Sequence, residues 1–139
     1  MWNELATHPW AYPALEAVHV LGIALLLGNL VALELRVWGA FARLPVLDLA
    51  RLSLGLSVAG FGLAAASGLL MFATQPWELI GNRAFTLKMG LLLLAAGNAA
   101  WFHARGSLHK LDAGARALMA SSTLIWLAVL FCGRWIAYV

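Results

Sequence analysis

Acidic side chains are scarce in this chain. Only six Asp and Glu stand among 139 residues, and charged residues of all kinds make up 11%, against about 25% in soluble domains. A water-soluble domain of this length must cover its core with polar side chains, and there are too few here to do so. Cysteine occurs once, at Cys132, inside an apolar run. An intrachain disulfide framework is therefore excluded, and cysteine usage names no compartment. Also missing are a Cys-x-x-Cys pair, a glycine-rich phosphate loop and a Ser–His–Asp set, so the commonest motif-borne chemistries have no foothold. The net charge is only +3, with no basic cluster interleaved with exposed aromatics, which argues against a nucleic-acid partner.

What the chain has in excess is apolar length. Hydrophobic residues reach 63%, far above the roughly 45–50% of soluble domains. They gather into four segments, approximately 13–37, 50–74, 84–105 and 115–137, each about the ~20 residues that a spanning helix needs. The first does not read as a cleaved signal peptide: it lacks a basic leader, its apolar stretch is too long, and Asn3 and Glu4 precede it. Pro13 suits a first helical turn, where its missing N–H costs nothing. Pro45, Gln75-Pro76 and Gly106-Ser107 punctuate the connections. No repeat, linker or low-complexity tract divides the chain. The expectation is an all-α, integral membrane four-helix bundle forming a single domain.

Basic residues orient such a bundle. Arg36, Arg43, Arg51, Arg105, Lys110 and Arg116 flank the first and third connections, whereas Arg83, Lys88 and Arg134 lie toward the other end. This bias puts both termini outside and those two connections in the cytoplasm. Trp2, Trp10, Tyr12, Trp77, Trp135 and Tyr138 would form an outer aromatic belt, and Trp38, Phe41, Trp101 and Phe102 an inner one.

Polar groups inside a bilayer are costly and therefore informative. His19 lies about two turns into the first span, with Glu16 one turn earlier and Gly22, Ile23 and Leu26 on its face. An imidazole in hydrocarbon needs a hydrogen-bond partner or a metal. Glu16 is a candidate to hold the ring's far N–H, as carboxylates do behind metal-bound histidines. A purely structural Glu16–His19 pair is the alternative. His103 lies at the inner end of the third span, approached by Met89, Ala96, Ala99 and Ala100. That strip reads either as a ligand approach or as close packing through small residues. His8 and His109 read as surface residues. Lys88 and Arg134 sit within or near the spans and either snorkel to the interface or neutralise carboxylates. Glu34 and Arg36 are expected to pair with Arg105 or Asp112, and Asn29 and Asn98 to bond between helices. Helix two carries two small-residue strips, Gly55–Ala59–Gly62–Ala66 and Gly60–Ala64–Ser67–Gly68. Either can approach a neighbouring helix or a flat cofactor closely.

Depth separates the two histidines. Both lie on helices running in the same direction, and His103 sits twelve residues deeper than His19, or about 18 Å. Two axial ligands of one haem must face each other across its plane, so these two belong to different sites. Met89 and Lys88 are near the depth of His19. The Glu16-x-x-His19 spacing also fits half of a di-iron bundle, but the second such pair and further carboxylates are absent. Discontinuous helices or paired halves, expected of a transporter, are not evident.

Several stretches taken together resemble a known family: Tyr12-Pro13, Leu15-Glu16, Val18-His19-Val20-Leu21-Gly22, Glu34-Leu35-Arg36, Phe85, Lys88-Met89, Asn98, Phe102-His103 and Gly133-Arg134-Trp135-Ile136-Ala137-Tyr138. The resemblance is to small four-helix bacterial membrane proteins defined only as a domain of unknown function, and it spans nearly the whole chain. More distantly, the first-helix histidine and third-helix lysine are similar to those of copper-resistance-D-like proteins and of the membrane protoporphyrinogen oxidase that carries b-type haem. That likeness implies His19 as an axial ligand and a bacterial inner-membrane location, without specifying a reaction.

The leading expectation is a membrane b-type cytochrome that transfers electrons with one or two haems. His19 and His103 would be the iron ligands, with Met89 and Glu16 beside them, and Lys88, Arg134 and Arg36 would neutralise propionates. Two alternatives stand. One is a non-haem accessory or assembly subunit of a larger membrane complex. The other is a copper-handling protein that uses Met71, Met89, Met119 and Cys132 as soft ligands. The apolar exterior suits a lipid bilayer and a homo-oligomer or complex.

Overall fold

The computed structural model describes residues 9–138, the side chain of residue 137 excepted. His8, Trp2, Asn3 and Glu4 lie outside the described residues. Within them the chain is helical throughout: α1 (Ala11–Val37), α2 (Val46–Thr74), a short α3 (Pro76–Ile80), α4 (Arg83–Ala104), a single turn α5 (Ser107–Lys110), α6 (Ala113–Trp135) and a 3-10 turn (Ile136–Tyr138). Four of these, α1, α2, α4 and α6, are long and apolar enough to cross a membrane. The second begins earlier than its apolar run, because Pro45 in extended conformation (φ −61°, ψ 121°) opens it. Its first turn then includes Asp48, on the favourable end of the helix dipole.

Local chemistry sets the other boundaries. Asn82 accepts the Phe85 amide at 3.2 Å and starts α4, and Asp112 accepts the Ala115 amide at 2.9 Å and starts α6. Both are side-chain N-caps that satisfy otherwise orphaned donors. Gly106 takes a left-handed conformation (φ 69°) that ends the α4 segment.

The bundle is built from two helical hairpins. In the first, α1 crosses α2 at Gly22 and Gly60. A Cβ on Gly22 would lie 2.5 Å from the Gly60 carbonyl oxygen, and one on Gly60 would lie 2.6 Å from that of Gly22. Only glycine permits this approach, because the atoms in the way are backbone. The second hairpin pairs α4 with α6, tied by Asn98 donating to the Leu118 carbonyl (2.9 Å). Between hairpins, Phe61 meets Trp126 edge-on (6.1 Å) and Phe72 stacks on Phe85 (5.7 Å). A core of Leu33, Val37, Ala50, Phe102, Ala115 and Met119 draws on all four spans beside the connections 38–45 and 105–112. Gln75 donates to the Tyr12 hydroxyl (2.6 Å) and Asn82 to the Ile136 carbonyl (2.8 Å). The start of α1 and the end of α6 therefore meet the 75–82 connection at one end of the bundle.

The two strips of helix two have opposite fates. Gly55, Ala59, Gly62 and Ala66 are exposed, and a Cβ on Gly55 or Gly62 would meet nothing within 4 Å. Gly60, Ala64 and Ser67 are buried against α1. No more than 22% of the apolar window of any span is buried within the chain. The bulk of the apolar surface is thus left to face lipid or other helices.

Candidate functional site

His19 is anchored across the α1–α2 crossing. Its Nδ1 lies 2.9 Å from the Ala64 carbonyl and 3.2 Å from the Ser67 hydroxyl. A carbonyl oxygen only accepts, so Nδ1 carries the hydrogen. The Ser67 hydroxyl donates to the carbonyls of Leu63 (2.7 Å) and Ala64 (3.2 Å), so toward the imidazole it too is an acceptor. In the neutral ring this leaves the Nε2 lone pair free. Gly68 lies beside the ring, its absent Cβ 3.5 Å from Cε1, which keeps that edge uncrowded. Glu16 does not take the role expected of it behind His19. It is exposed and lies near Tyr12 instead. The crossing instead supplies Nδ1 with a backbone carbonyl and a hydroxyl from α2.

Lys88, on α4 of the second hairpin, is the charged group within electrostatic range of this ring. Its ammonium is close enough to act electrostatically on His19 and lies against α6, where a Cβ on Gly133 would be 3.3 Å from Nζ, with Cys132 adjacent. Among the described residues Lys88 makes no ion pair. The other expected propionate partners are occupied locally. Arg36 wraps the first connection, with Nε donating to the Leu44 carbonyl (2.6 Å) and Nη2 to that of Ala42 (3.4 Å). Arg134 donates to the Tyr138 hydroxyl (2.9 Å) and covers its ring (5.1 Å). Met89, next to Lys88, is exposed.

His103 lies at the opposite end of the bundle. It is exposed, edge-on to Phe102 (5.1 Å, 86°). With Leu33, Asn98, Met119 and Ser122 it lines a crevice of about 30 Å³, room for a water rather than for a porphyrin-sized ligand, which needs several hundred Å³. Leu33 is fourteen residues along α1 from His19, about 21 Å. The two histidines thus stand far apart, and only His19 has a ring nitrogen bonded across a helix crossing.

Three partnerships differ from the sequence reading. Arg105 pairs bidentately with Asp112 (3.1 and 2.9 Å), so neither meets Glu34 or Arg36. Glu34 instead accepts from the Thr123 hydroxyl on α6. Asn29 turns back to the Leu25 carbonyl of its own helix (2.7 Å), whereas Asn98 does bond between helices. At the Arg105–Asp112 pair, outside the spans, the guanidinium and then the Ala115 amide hold the Asp112 carboxyl down at about 2. No three of His, Cys, Asp and Glu converge among the described residues, and Met119 lies in the core beside the connections, remote from Cys132. The pairings that sequence reasoning missed, Ala64 with His19 and Thr123 with Glu34, carry no local signal: one partner is backbone and the other an ordinary threonine. Compared with known protein families, curated proteins and solved structures, the chain matches none of them.

Proposed function

We propose that the protein is a membrane b-type cytochrome with haem ligated at His19. The observation that carries this reading is the Nδ1 bond to the Ala64 carbonyl. It sets the tautomer, orients the ring and raises the basicity of Nε2, as the partners of metal-bound histidines generally do. When bound, haem b supplies one-electron chemistry. The chain's own residues do the rest. Nε2 of His19 would hold the iron, and the Ala64 carbonyl and Ser67 hydroxyl at Nδ1 keep the ring from rotating. Lys88, without an ion pair among the described residues, would meet a propionate. The apolar flanks exclude water.

On this reading the protein sits in a bacterial inner membrane, with both termini outside and the arginine-rich connections in the cytoplasm. The absorption spectrum of the purified protein is the test. A Soret band with reducible α-bands, lost in His19→Ala and kept in His103→Ala, is the expected result. A colourless, metal-free protein would overturn it. That outcome leaves the accessory-subunit reading, which the outward Gly55–Ala59–Gly62–Ala66 strip favours because exposed small residues admit a partner helix. Bound copper in place of iron would favour the copper-handling alternative.

A further inference from the structure

The haem reading makes no use of the connection between α1 and α2, residues 38–45. Arg36, at the end of α1, clasps this connection. Its Nε donates to the Leu44 carbonyl at 2.6 Å and its Nη2 to that of Ala42 at 3.4 Å. The Leu44 amide in turn donates to the Phe41 carbonyl at 2.8 Å. The closed turn sets Phe41 at φ 53°, a left-handed conformation that bulky side chains rarely take. Phe41 is 77% exposed and makes no ring contact among the described residues. Trp38 and Leu44 are exposed beside it. The turn thus holds apolar side chains that the bundle leaves uncovered.

Positive charge surrounds them. Arg43 and Arg51 are exposed and have neither an ion pair nor a hydrogen bond among the described residues. Arg51 is the sixth residue of α2, and side chains of a helix lean toward its N-terminus, here toward the connection. Arg116, in the first turn of α6, lays its guanidinium over Trp38 at 5.8 Å. The exposed carboxylate on this stretch is Asp48, whereas Asp112 is held by Arg105. Three guanidinium groups therefore stand against one free carboxylate. An open notch of about 700 Å³, lined by Phe41, Ala42, Arg43 and Leu44, lies among them.

Length places this patch in the bilayer. The 27 residues of α1 extend about 40 Å, the thickness of a membrane with its headgroups. The end of α1 at Val37 therefore falls at the level of the lipid phosphates, whichever way the chain is oriented.

We propose that this connection is a binding site for an anionic phospholipid. The headgroup phosphate accepts from Arg43 and Arg51, whose planar forks match its oxygens. The upper acyl chain lies against Trp38, Phe41 and Leu44, and Arg36 holds the turn that sets these groups together. The exposed rings among the charges favour a lipid over an acidic protein, because aromatic side chains are at home at the headgroup level.

Native mass spectrometry of the full chain, given equal amounts of phosphatidylglycerol and phosphatidylcholine with the same acyl chains, tests the site without reference to haem. The expected result is preferential retention of phosphatidylglycerol. That preference should fall roughly fivefold in Arg43→Gln and by a similar factor in Arg51→Gln. It should be unchanged in Arg83→Gln, which removes an exposed arginine from the opposite end of the bundle. Phe41→Asn, which tolerates the left-handed backbone, should lower retention of both lipids. Equal retention of the two lipids by the wild type overturns the proposal and leaves the arginines to an acidic protein. An equal loss in Arg83→Gln also overturns it, since total charge and not this connection would then select the lipid. Displacement of phosphatidylglycerol by millimolar inorganic phosphate would assign the arginines to a free anion and sink the lipid site. All four substituted side chains are exposed, so each variant retains the packed contacts of the bundle.

Discussion

Substituting Gly22 by alanine should separate the two helices on which the His19 site is built. The added Cβ would lie 2.5 Å from the Gly60 oxygen and 2.7 Å from the Ala64 nitrogen. Comfortable contacts of this kind are near 3.5 Å, and neither obstacle can rotate away because both are backbone. The helices must therefore part by roughly 1 Å at the crossing, an overpacking strain of about 1–3 kcal/mol. Gly62→Ala is the matched control. It lies on the same α2, and its Cβ would meet nothing within 4 Å, so it should gain roughly 0.5–1 kcal/mol from the reduced backbone entropy of the unfolded chain. The two variants should then differ by about 1.5–4 kcal/mol. At ~3 °C per kcal/mol for a domain near this size, their melting temperatures in detergent should lie roughly 5–12 °C apart. A second readout follows from geometry. His19 is one turn from Gly22, and Ala64 is one turn from Gly60. Parting the helices by roughly 1 Å stretches the 2.9 Å Nδ1 bond beyond hydrogen-bonding range. On the proposed haem reading, retention of the group should fall in Gly22→Ala and not in Gly62→Ala. If the two variants melt together and retain haem equally, the crossing is not at Gly22 and Gly60, and the argument for His19 loses its support.

Other outcomes follow from single contacts. On the proposed haem reading, Ser67→Ala should keep the group but loosen the His19 ring, seen as a shift or broadening of the α-band, because the Ala64 carbonyl remains as acceptor. Lys88→Met, similar in length and uncharged, should weaken haem retention while leaving helix content in circular dichroism unchanged. Asp112 has a folded value of about 2, below the ordinary 3.8. Its contribution is complete above the ordinary value and is lost as pH falls through the folded one. Asp112→Asn should therefore flatten the acid limb of a melting-temperature-versus-pH curve, and an unchanged limb would discount the Arg105 pair. A reporter fused after Val139 should be active outside and silent in the cytoplasm, and the opposite result would invert the topology.

The apolar runs by themselves determined that the described chain folds into four long helices joined by short connections. In a bilayer each segment must satisfy its own backbone hydrogen bonds, so length and composition suffice to specify a span. The helix starts at Asn82 and Asp112 and the stop at Gly106 are equally local, since a cap is a bond between near neighbours in sequence. Which of the two strips on helix two turns inward was not legible. Both have the right spacing and small residues, and the choice was made by Gly22, an element away, lying opposite Gly60. The partner of His19 was hidden for the same reason. A nearby carboxylate is visible as a letter in the chain, whereas the Ala64 carbonyl is a group every residue carries, and only the close crossing brings that one to 2.9 Å from Nδ1. Likewise, Thr123 met Glu34 from 89 residues away. Helical periodicity says which residues share a face, but the faces of different helices are matched only by packing, and the polar contacts inside this bundle are decided there.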